Sequence, residues 1–110
     1  MNDFPKTKRL LKKIEYDTVF KEARRTATSA FIVLYRNNTI GYARLGLAIS
    51  KKMVSKSHDR NRLKRLLRET FRKATLPSVD IVILAKRGAA SFQNSTLIAH
   101  LNEVWSKLLG

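Results

Sequence analysis

Cysteine is absent from this sequence of 110 residues. Its absence excludes disulfide bridges, cysteine-ligated zinc and thiol catalysis, and gives no sign of a secreted scaffold. Long apolar runs are absent too: the longest, residues 31–35 and 81–85, have the length of strands and fall far below the roughly 20 residues of a membrane-spanning helix. The first residues lack the apolar run of a signal peptide. We therefore expect one cytoplasmic domain over residues 1–110, without membrane association.

Acidic side chains are scarce, since 8 Asp and Glu stand against 23 Lys and Arg and leave a formal net charge of +15. The excess is concentrated in the chain. Residues 51–73 hold ten basic and two acidic side chains, a net of +8, and residues 6–25 hold eight and three, a net of +5. Residues 74–110 hold three and two, a net of +1. Basicity that served only solubility would be spread evenly, so this pattern indicates a surface for a polyanion, with nucleic acid as the first candidate.

Catalytic and metal-binding motifs are missing as well. The sequence has no glycine-rich phosphate loop, no HExxH zinc motif and no nucleophile elbow. We interpret His58 and His100 as surface or packing residues, and Asp59 as a helix cap or the partner of a neighbouring arginine. We expect no catalytic residue, no metal site and no cofactor on the protein itself.

Apolar periodicity predicts an α+β domain with the element order helix, strands, helix, strand, helix. A first short helix carries Tyr16, Val19, Phe20 and Ala23 on one face. Strands are predicted over residues 30–35, 44–50 and 80–85. The second has an unusually small outer face of glycine, alanine and serine, and the third is apolar throughout, which is typical of burial on both faces. Further helices are predicted over residues 57–74 and 94–109.

The helix over residues 57–74 divides into an apolar stripe and a cationic face on a helical wheel. The stripe consists of Leu63, Leu66, Leu67, Thr70, Phe71 and Ala74. The adjoining arc holds Arg60, Asn61, Lys64, Arg65, Arg68 and Arg72, with Arg62 and Lys73 beyond it. Like charges at successive i, i+4 positions destabilise an isolated helix by about 0.2–0.5 kcal/mol per pair. Because the phosphates of a nucleic acid would neutralise them, we interpret this face as a nucleic-acid docking surface, extended by Lys51, Lys52 and Lys56.

Aromatic residues near the sheet suggest a second surface. Tyr16 and Phe20 are one helical turn apart, and Phe31, Val33 and Tyr35 share one side of their strand. If the first helix lies against the edge of the sheet, such rings could line a groove for single-stranded nucleic acid, whose bases stack on aromatic side chains. Aromatic residues at this spacing are also ordinary core residues, so the residue pattern alone leaves both interpretations open.

The sequence RNRLKRLLRE at residues 60–69 resembles the RNR motif helix of the bacterial ribonuclease P protein component. The strand before it, LGLAISKK at residues 45–52, and the strand after it, IVILAKRG at residues 81–88, resemble the same family. The family's opening helix is matched by Arg9, Leu10, Tyr16, Phe20 and Lys21. These segments follow the family's order and together span most of the chain.

This resemblance implies a two-layer α/β sandwich, in which three helices accompany a small mixed sheet of about four strands. It also implies a left-handed βαβ crossover, as in the ribosomal-protein-S5-domain-2-like fold. Since the apolar pattern gives only three strands, we expect the fourth between residues 37 and 56.

The family implies a subunit of a cytoplasmic ribonucleoprotein that removes the 5′ leader from precursor tRNA by endonucleolytic cleavage. Its catalytic RNA subunit uses bound Mg²⁺, while the protein binds that RNA and the single-stranded leader and raises substrate affinity. No obligate protein partner is expected. By resemblance, the RNA-binding residues are Arg60, Asn61, Arg62, Lys64, Arg65 and Arg68, with the basic flank Lys51, Lys52 and Lys56. The leader-binding cleft is expected from Tyr16, Phe20, Val33 and Tyr35, and the place of Tyr35 depends on the register of residues 21–35.

Other functions also fit the charge. A structural RNA-binding protein, for example of the ribosome, would share the small α+β fold but would have no effect on precursor tRNA cleavage. A DNA-binding module would lay the basic helix in the major groove, although such helices normally carry fewer consecutive charges. A membrane-surface helix fits less well, because Leu63, Leu66 and Leu67 are needed in the core.

Overall fold

The structure, a computed structural model, describes residues 13–109. Its elements in chain order are α1 (Lys13–Glu22), β1 (Arg24–Ala27), β2 (Phe31–Asn37), β3 (Arg44–Ala48), α2 (Ser57–Lys73), β4 (Val79–Ala85), a short 3₁₀ turn (Ala89–Ser91) and α3 (Asn94–Leu109). The basic stretch over residues 6–12, which includes the family match at Arg9 and Leu10, lies outside the described residues. No helix within residues 13–109 is long and apolar enough to cross a membrane.

The four strands form one mixed sheet in the order β1-β2-β4-β3. β2 pairs antiparallel with both β1 and β4, whereas β3 runs parallel to β4 and is joined to it through α2. The core cluster under α2 and α3 occupies one face of the sheet, and α1 packs on the other. The predicted α+β domain with three helices and about four strands is confirmed. The left-handed sense of the β3–α2–β4 crossover stays a prediction.

β4 lies inside the sheet, between β2 and β3, and is covered on both faces. Ile81 and Ile83 are fully buried in the core beneath α2 and α3, while Val82 is fully buried against α1. Successive side chains of a strand point to opposite faces, so a continuous apolar run requires an apolar environment on each side. The predicted burial of this strand on both faces is confirmed.

The fourth strand is β1, and its expected position between residues 37 and 56 is wrong. β1 is an edge strand of four residues, of which Arg24, Arg25 and Ala27 are exposed. It pairs with β2 through a short turn in which Thr28 Oγ1 accepts hydrogen bonds from the Ala30 and Phe31 N–H groups. A short, charged edge strand has no apolar alternation to reveal it. Its backbone ladder with β2, rather than its side chains, defines it.

α2 and α3 are joined through Trp105, whose side chain is almost fully buried. The Trp105 and Phe71 rings meet edge to face with centroids 5.9 Å apart. The indole Nε1 of Trp105 donates to Thr70 Oγ1 at 3.0 Å, which satisfies the polar edge of the indole inside the core. This contact fixes the second half of α2 against the helix that follows β4.

Asp80 is the charged residue of β4, and only 4% of its surface is exposed. Arg44 of β3 donates to it twice, from Nε to Oδ1 at 2.9 Å and from Nη2 to Oδ2 at 2.8 Å. Asn38 Nδ2 donates to Oδ1 at 2.8 Å. Burial by itself raises the pKa of Asp80. The hydrogen bonds from Arg44 and Asn38 and the charges of Arg44 and Arg36 outweigh that effect, so the pKa lies below its usual value.

We predict that Asp80 makes the stability of the fold depend on acid pH. Because its folded-state pKa is lowered, its contribution to the free energy of unfolding is fully present above the unfolded-state pKa of about 3.9. That contribution is lost as the pH falls through the folded-state pKa. Asp80→Asn removes the buried carboxylate that pairs with the half-buried Arg44 guanidinium and should cost about 3 kcal/mol at neutral pH. It should also flatten the decline in stability below about pH 4. Urea denaturation measures both, and an equally steep acid decline in both proteins would contradict the assignment.

Candidate nucleic-acid interface

α2 buries its apolar stripe and exposes its cationic face. The buried residues of this helix are Leu63, Leu66, Leu67, Thr70 and Phe71. Five of the six predicted stripe residues are therefore in the core, and Ala74, just beyond the helix, is half-buried. The exposed residues of the opposite side include Asn61, Arg65, Arg68, Arg72 and Lys73. The predicted amphipathic division of the helix is confirmed, and it leaves a solvent-facing surface rich in guanidinium groups.

Arg60 holds the β3–α2 connection against the start of the helix. Its Nη1 donates to the carbonyl oxygens of Val54 at 3.0 Å and Ser55 at 2.9 Å. Val54 is itself buried, and its N–H donates to the Ser50 carbonyl oxygen at 3.0 Å. This connection carries the three exposed lysines of the basic flank, Lys51, Lys52 and Lys56. Their ammonium groups therefore belong to a segment that is fastened to α2.

Arg62 is directed into the protein, toward the connection between β4 and α3. Its Nη2 donates to the Ala90 carbonyl oxygen at 2.7 Å. Its Nη1 donates to Asn94 Oδ1 at 2.6 Å and to the Phe92 carbonyl oxygen at 3.3 Å. The residue is half-buried, unlike the exposed Arg65 one turn later. The sequence motif groups Arg62 with the RNA-contacting residues, whereas the structure engages its guanidinium in contacts within the chain.

A groove of about 510 Å³ opens where β3 and β4 end and β2 begins. Its lining residues are Ile32, Leu47, Ala48, Ile49, Ser50, Met53, Lys64, Leu84 and Ala85. Most of this lining is apolar, and Lys64 reaches it from α2. The groove and the cationic face of α2 therefore adjoin each other and share Lys64. An apolar surface bordered by cations can hold bases on one side and phosphates on the other.

α1 covers the face of the sheet on which three of the groove-lining residues, Ile32, Ala48 and Leu84, lie. Val19 is fully buried and packs on Val82. Tyr16 lies directly over Gly46, where an added Cβ would fall 2.8 Å from two ring carbons and the hydroxyl oxygen of the tyrosine. Ala48, which lines the groove, is two residues farther along β3, or about 7 Å. The small residues predicted to form an outer face of β3 thus make room for α1.

Val33 and Tyr35 lie on the other face of the sheet, and their predicted place in the cleft is wrong. Val33 is fully buried in the core beneath α2 and α3, and Tyr35 packs against the same core. Side chains alternate between faces along β2, so the register that places Leu34 under α1 turns Val33 and Tyr35 away from it. Tyr16 remains on the α1 side, and Phe20 on the same helix is 47% exposed.

The apolar lining of the groove is missing from the sequence prediction. Ile32 and Leu84 contribute to it from neighbouring strands, and Met53 contributes from the β3–α2 connection. The alternation of side chains between the two faces of a strand could have predicted the strand residues of the groove. If Val33 faces one helical layer, Ile32 and Leu84 must lie on the opposite face, because the antiparallel partners Ile32 and Leu84 share a side.

The arrangement combines exposed guanidinium and ammonium groups with an apolar groove, a combination suited to binding nucleic acid. Within the part of the chain that the structure describes, no three His, Asp or Glu side chains come together in a group that could hold a metal ion.

Asp59, interpreted from the sequence as a helix cap or the partner of a neighbouring arginine, is in the first turn of α2. Its Oδ1 lies 3.4 Å from His58 Nε2. A carboxylate there interacts favourably with the positive end of the helix dipole.

Comparison with known proteins connects this chain to one family. Residues 4–109 match the family model described as Ribonuclease P. The ribonuclease P protein component of Legionella pneumophila strain Corby is 56% identical over 105 residues, which cover 96% of this chain and 92% of that protein. The corresponding protein of Pectobacterium atrosepticum is 41% identical over 106 residues, 94% of this chain and 89% of that one. The RNase P protein structure from Staphylococcus aureus superposes with a TM-score of 0.83 at 27% identity, covering 94% of this chain and 98% of that chain.

We predict that Gly46→Ala will displace the Tyr16 ring from its place over β3, because the new methyl group overlaps that ring. Overpacking of this kind typically costs about 1–3 kcal/mol, measurable by urea denaturation. In the Gly46→Ala background, Tyr16→Ala should recover more of the loss than Tyr16→Phe, since two of the three close atoms belong to the ring. Additive effects of the two substitutions would mean that the ring and Gly46 do not interact.

Proposed function

The chain belongs to the ribonuclease P protein family, and from this we propose how its two surfaces share the work of the enzyme. The chain is an accessory subunit of an endoribonuclease that acts with an RNA subunit in processing the 5′ end of tRNA. We assign the RNA subunit to the cationic face of α2. We assign the single-stranded 5′ leader of precursor tRNA to the groove beside it. The observation that carries the proposal is that the two surfaces adjoin and share Lys64.

The cationic face suits a structured RNA. Arg65 and Arg68 are exposed one turn apart, and a guanidinium group can donate two parallel hydrogen bonds to one phosphate. Asn61, exposed on the same side, can donate to and accept from a sugar or a base edge. Repulsion between the like charges of the helix is relieved when phosphates neutralise them. This face therefore has most to gain from a polyanion with regularly spaced charges.

The groove suits a flexible single strand. Its apolar lining provides a surface for bases without hydrogen-bond readout, which tolerates different leader sequences. Lys64 at its border, with the nearby lysines of the β3–α2 connection, can meet the backbone phosphates. Tyr16 and Phe20 lie on α1, which packs on the face that holds Ala48 and Leu84 of the lining, and Phe20 is 47% exposed.

The contribution of the protein to the reaction is then electrostatic and positional. Two RNA molecules repel each other, and a chain with a formal net charge of +15 between them offsets that repulsion. We propose that the RNA subunit carries out cleavage with its bound Mg²⁺ in the cytoplasm. Adding the protein should restore leader removal by the RNA subunit at low Mg²⁺ concentration. No gain in cleavage would overturn the proposal.

Salt dependence tests the assignment of α2. With about six phosphate contacts, the slope of log K against log salt for the RNA subunit should be near −4 to −5. Arg65→Ala should weaken binding and make the slope shallower by about 0.7–0.9, the contribution of one phosphate contact. Lys107→Ala removes the same charge from an exposed position on α3 and serves as the control. If both substitutions change the slope equally, binding reflects net charge rather than this face.

Substitution of Met53 tests the assignment of the groove. Met53→Glu puts a carboxylate into the lining, and one unit charge about 10 Å from a leader phosphate costs roughly 1.5 kcal/mol at an effective dielectric constant near 20. The holoenzyme should therefore bind leader-bearing precursor tRNA about tenfold more weakly, with unchanged affinity for mature tRNA. Met53→Gln, similar in shape but neutral, controls for lost packing and should have a smaller effect. Equal losses for the two tRNAs would place the leader elsewhere.

A further inference from the structure

Arg62 makes the most extensive set of long-range side-chain hydrogen bonds described above for α2. Its three acceptors, the Ala90 and Phe92 carbonyl oxygens and Asn94 Oδ1, all lie between the 3₁₀ turn and the first residue of α3. They are 28 to 32 residues away in sequence. One guanidinium group thus bridges the basic helix and the segment that leads into the next helix.

These hydrogen bonds require the planar guanidinium group of an arginine. The acceptors receive hydrogen bonds from two different nitrogens of the same guanidinium group, Nη1 and Nη2. A lysine ammonium is a single donor centre and cannot reproduce the geometry, although it keeps the charge. Substitution by lysine therefore distinguishes the two roles. A lysine would break the hydrogen bonds within the protein, but it would still attract a phosphate through its charge.

The first half of α2 is held by its own arginines on both flanks. Arg60 ties it to the β3–α2 connection at Val54 and Ser55, and Arg62 ties it to the β4–α3 connection. Between these two attachments the helix exposes Asn61, and one turn later it exposes Arg65. The second half of α2 is fixed differently, by the Phe71 and Thr70 contacts with Trp105.

We propose that Arg62 is a positioning residue for RNA binding. It fastens the first half of α2 to the β4–α3 connection, so that Asn61, Lys64 and Arg65 meet the RNA in a fixed arrangement, and it supplies no phosphate contact of its own. This inference rests on the proposed binding of the RNA subunit by α2. It assigns to an arginine in the middle of the basic motif a role different from that of its neighbours.

The test compares Arg62→Lys and Arg62→Ala with Arg65→Lys and Arg65→Ala in the full chain. Affinity for the RNA subunit, transcribed in vitro, is measured across a series of salt concentrations at a temperature where circular dichroism shows every variant folded. We expect both Arg62 variants to bind about tenfold more weakly with the wild-type salt slope. Arg65→Lys should keep the wild-type slope because it keeps the charge, whereas Arg65→Ala should lose about 0.7–0.9 of the slope.

Hydrogen exchange of the free protein gives a second readout. Arg62→Lys should accelerate amide exchange in the first turns of α2 and around residues 90–97, while Arg65→Lys should leave both regions unchanged.

Two results would overturn the inference. If Arg62→Lys restores binding and Arg62→Ala lowers the slope as Arg65→Ala does, Arg62 contacts phosphate directly. If folded Arg62→Ala binds RNA as tightly as wild type, its hydrogen bonds serve stability alone. A failure of the proposed function would look different, since the wild-type slope would then be shallow and insensitive to Arg65, and the inference would fall with it.

Discussion

Helix α2 must keep a row of like charges on one side while its other side stays packed in the core. The charges repel one another, so helix propensity alone would leave this segment marginal. The Leu63 and Leu67 side chains of the helix are fully buried in the core, and its Thr70 accepts a hydrogen bond from the indole of Trp105. The hydrogen bonds of Arg62 to the β4–α3 connection add a clamp on one flank. The fold therefore holds the concentrated charge in one arrangement, which would reduce the ordering cost of binding the RNA that we assign to this face.

The position of the groove follows from the same layout. β3 and β4 are parallel and joined through α2, so the carboxyl ends of both strands lie together near the start of that helix. The groove forms at this edge, and Lys64 belongs both to it and to the helix. On the opposite face from α2, α1 can approach the sheet closely because Gly46 leaves space for Tyr16. The cationic face of α2 and the apolar groove, to which we assign the RNA subunit and the single-stranded leader, thus become neighbours within one small domain.

Sequence periodicity predicts the elements whose side chains decide their structure, such as the apolar stripe of α2 and the buried β4. It misses β1, because this edge strand exists through its backbone pairing with β2 and shows no apolar alternation. It also cannot choose the face of β2 that meets α1, since both faces are apolar, and a shift of one residue moves Val33 from cleft to core. The direction of Arg62 depends on carbonyl groups about 30 residues away, which no local pattern reveals. The family resemblance correctly identifies the family, but it predicts the wrong face of β2 for Val33 and Tyr35.

Hydrogen-exchange protection in two successive complexes tests most directly whether the chain has two adjoining surfaces with different partners. Binding of the RNA subunit alone should protect the exposed side of α2 and the β3–α2 connection. Addition of precursor tRNA should then protect the groove at the ends of β3 and β4, and mature tRNA lacking the leader should not. If the RNA subunit alone already protects the groove, or if the leader adds no protection there, the two-surface account is contradicted.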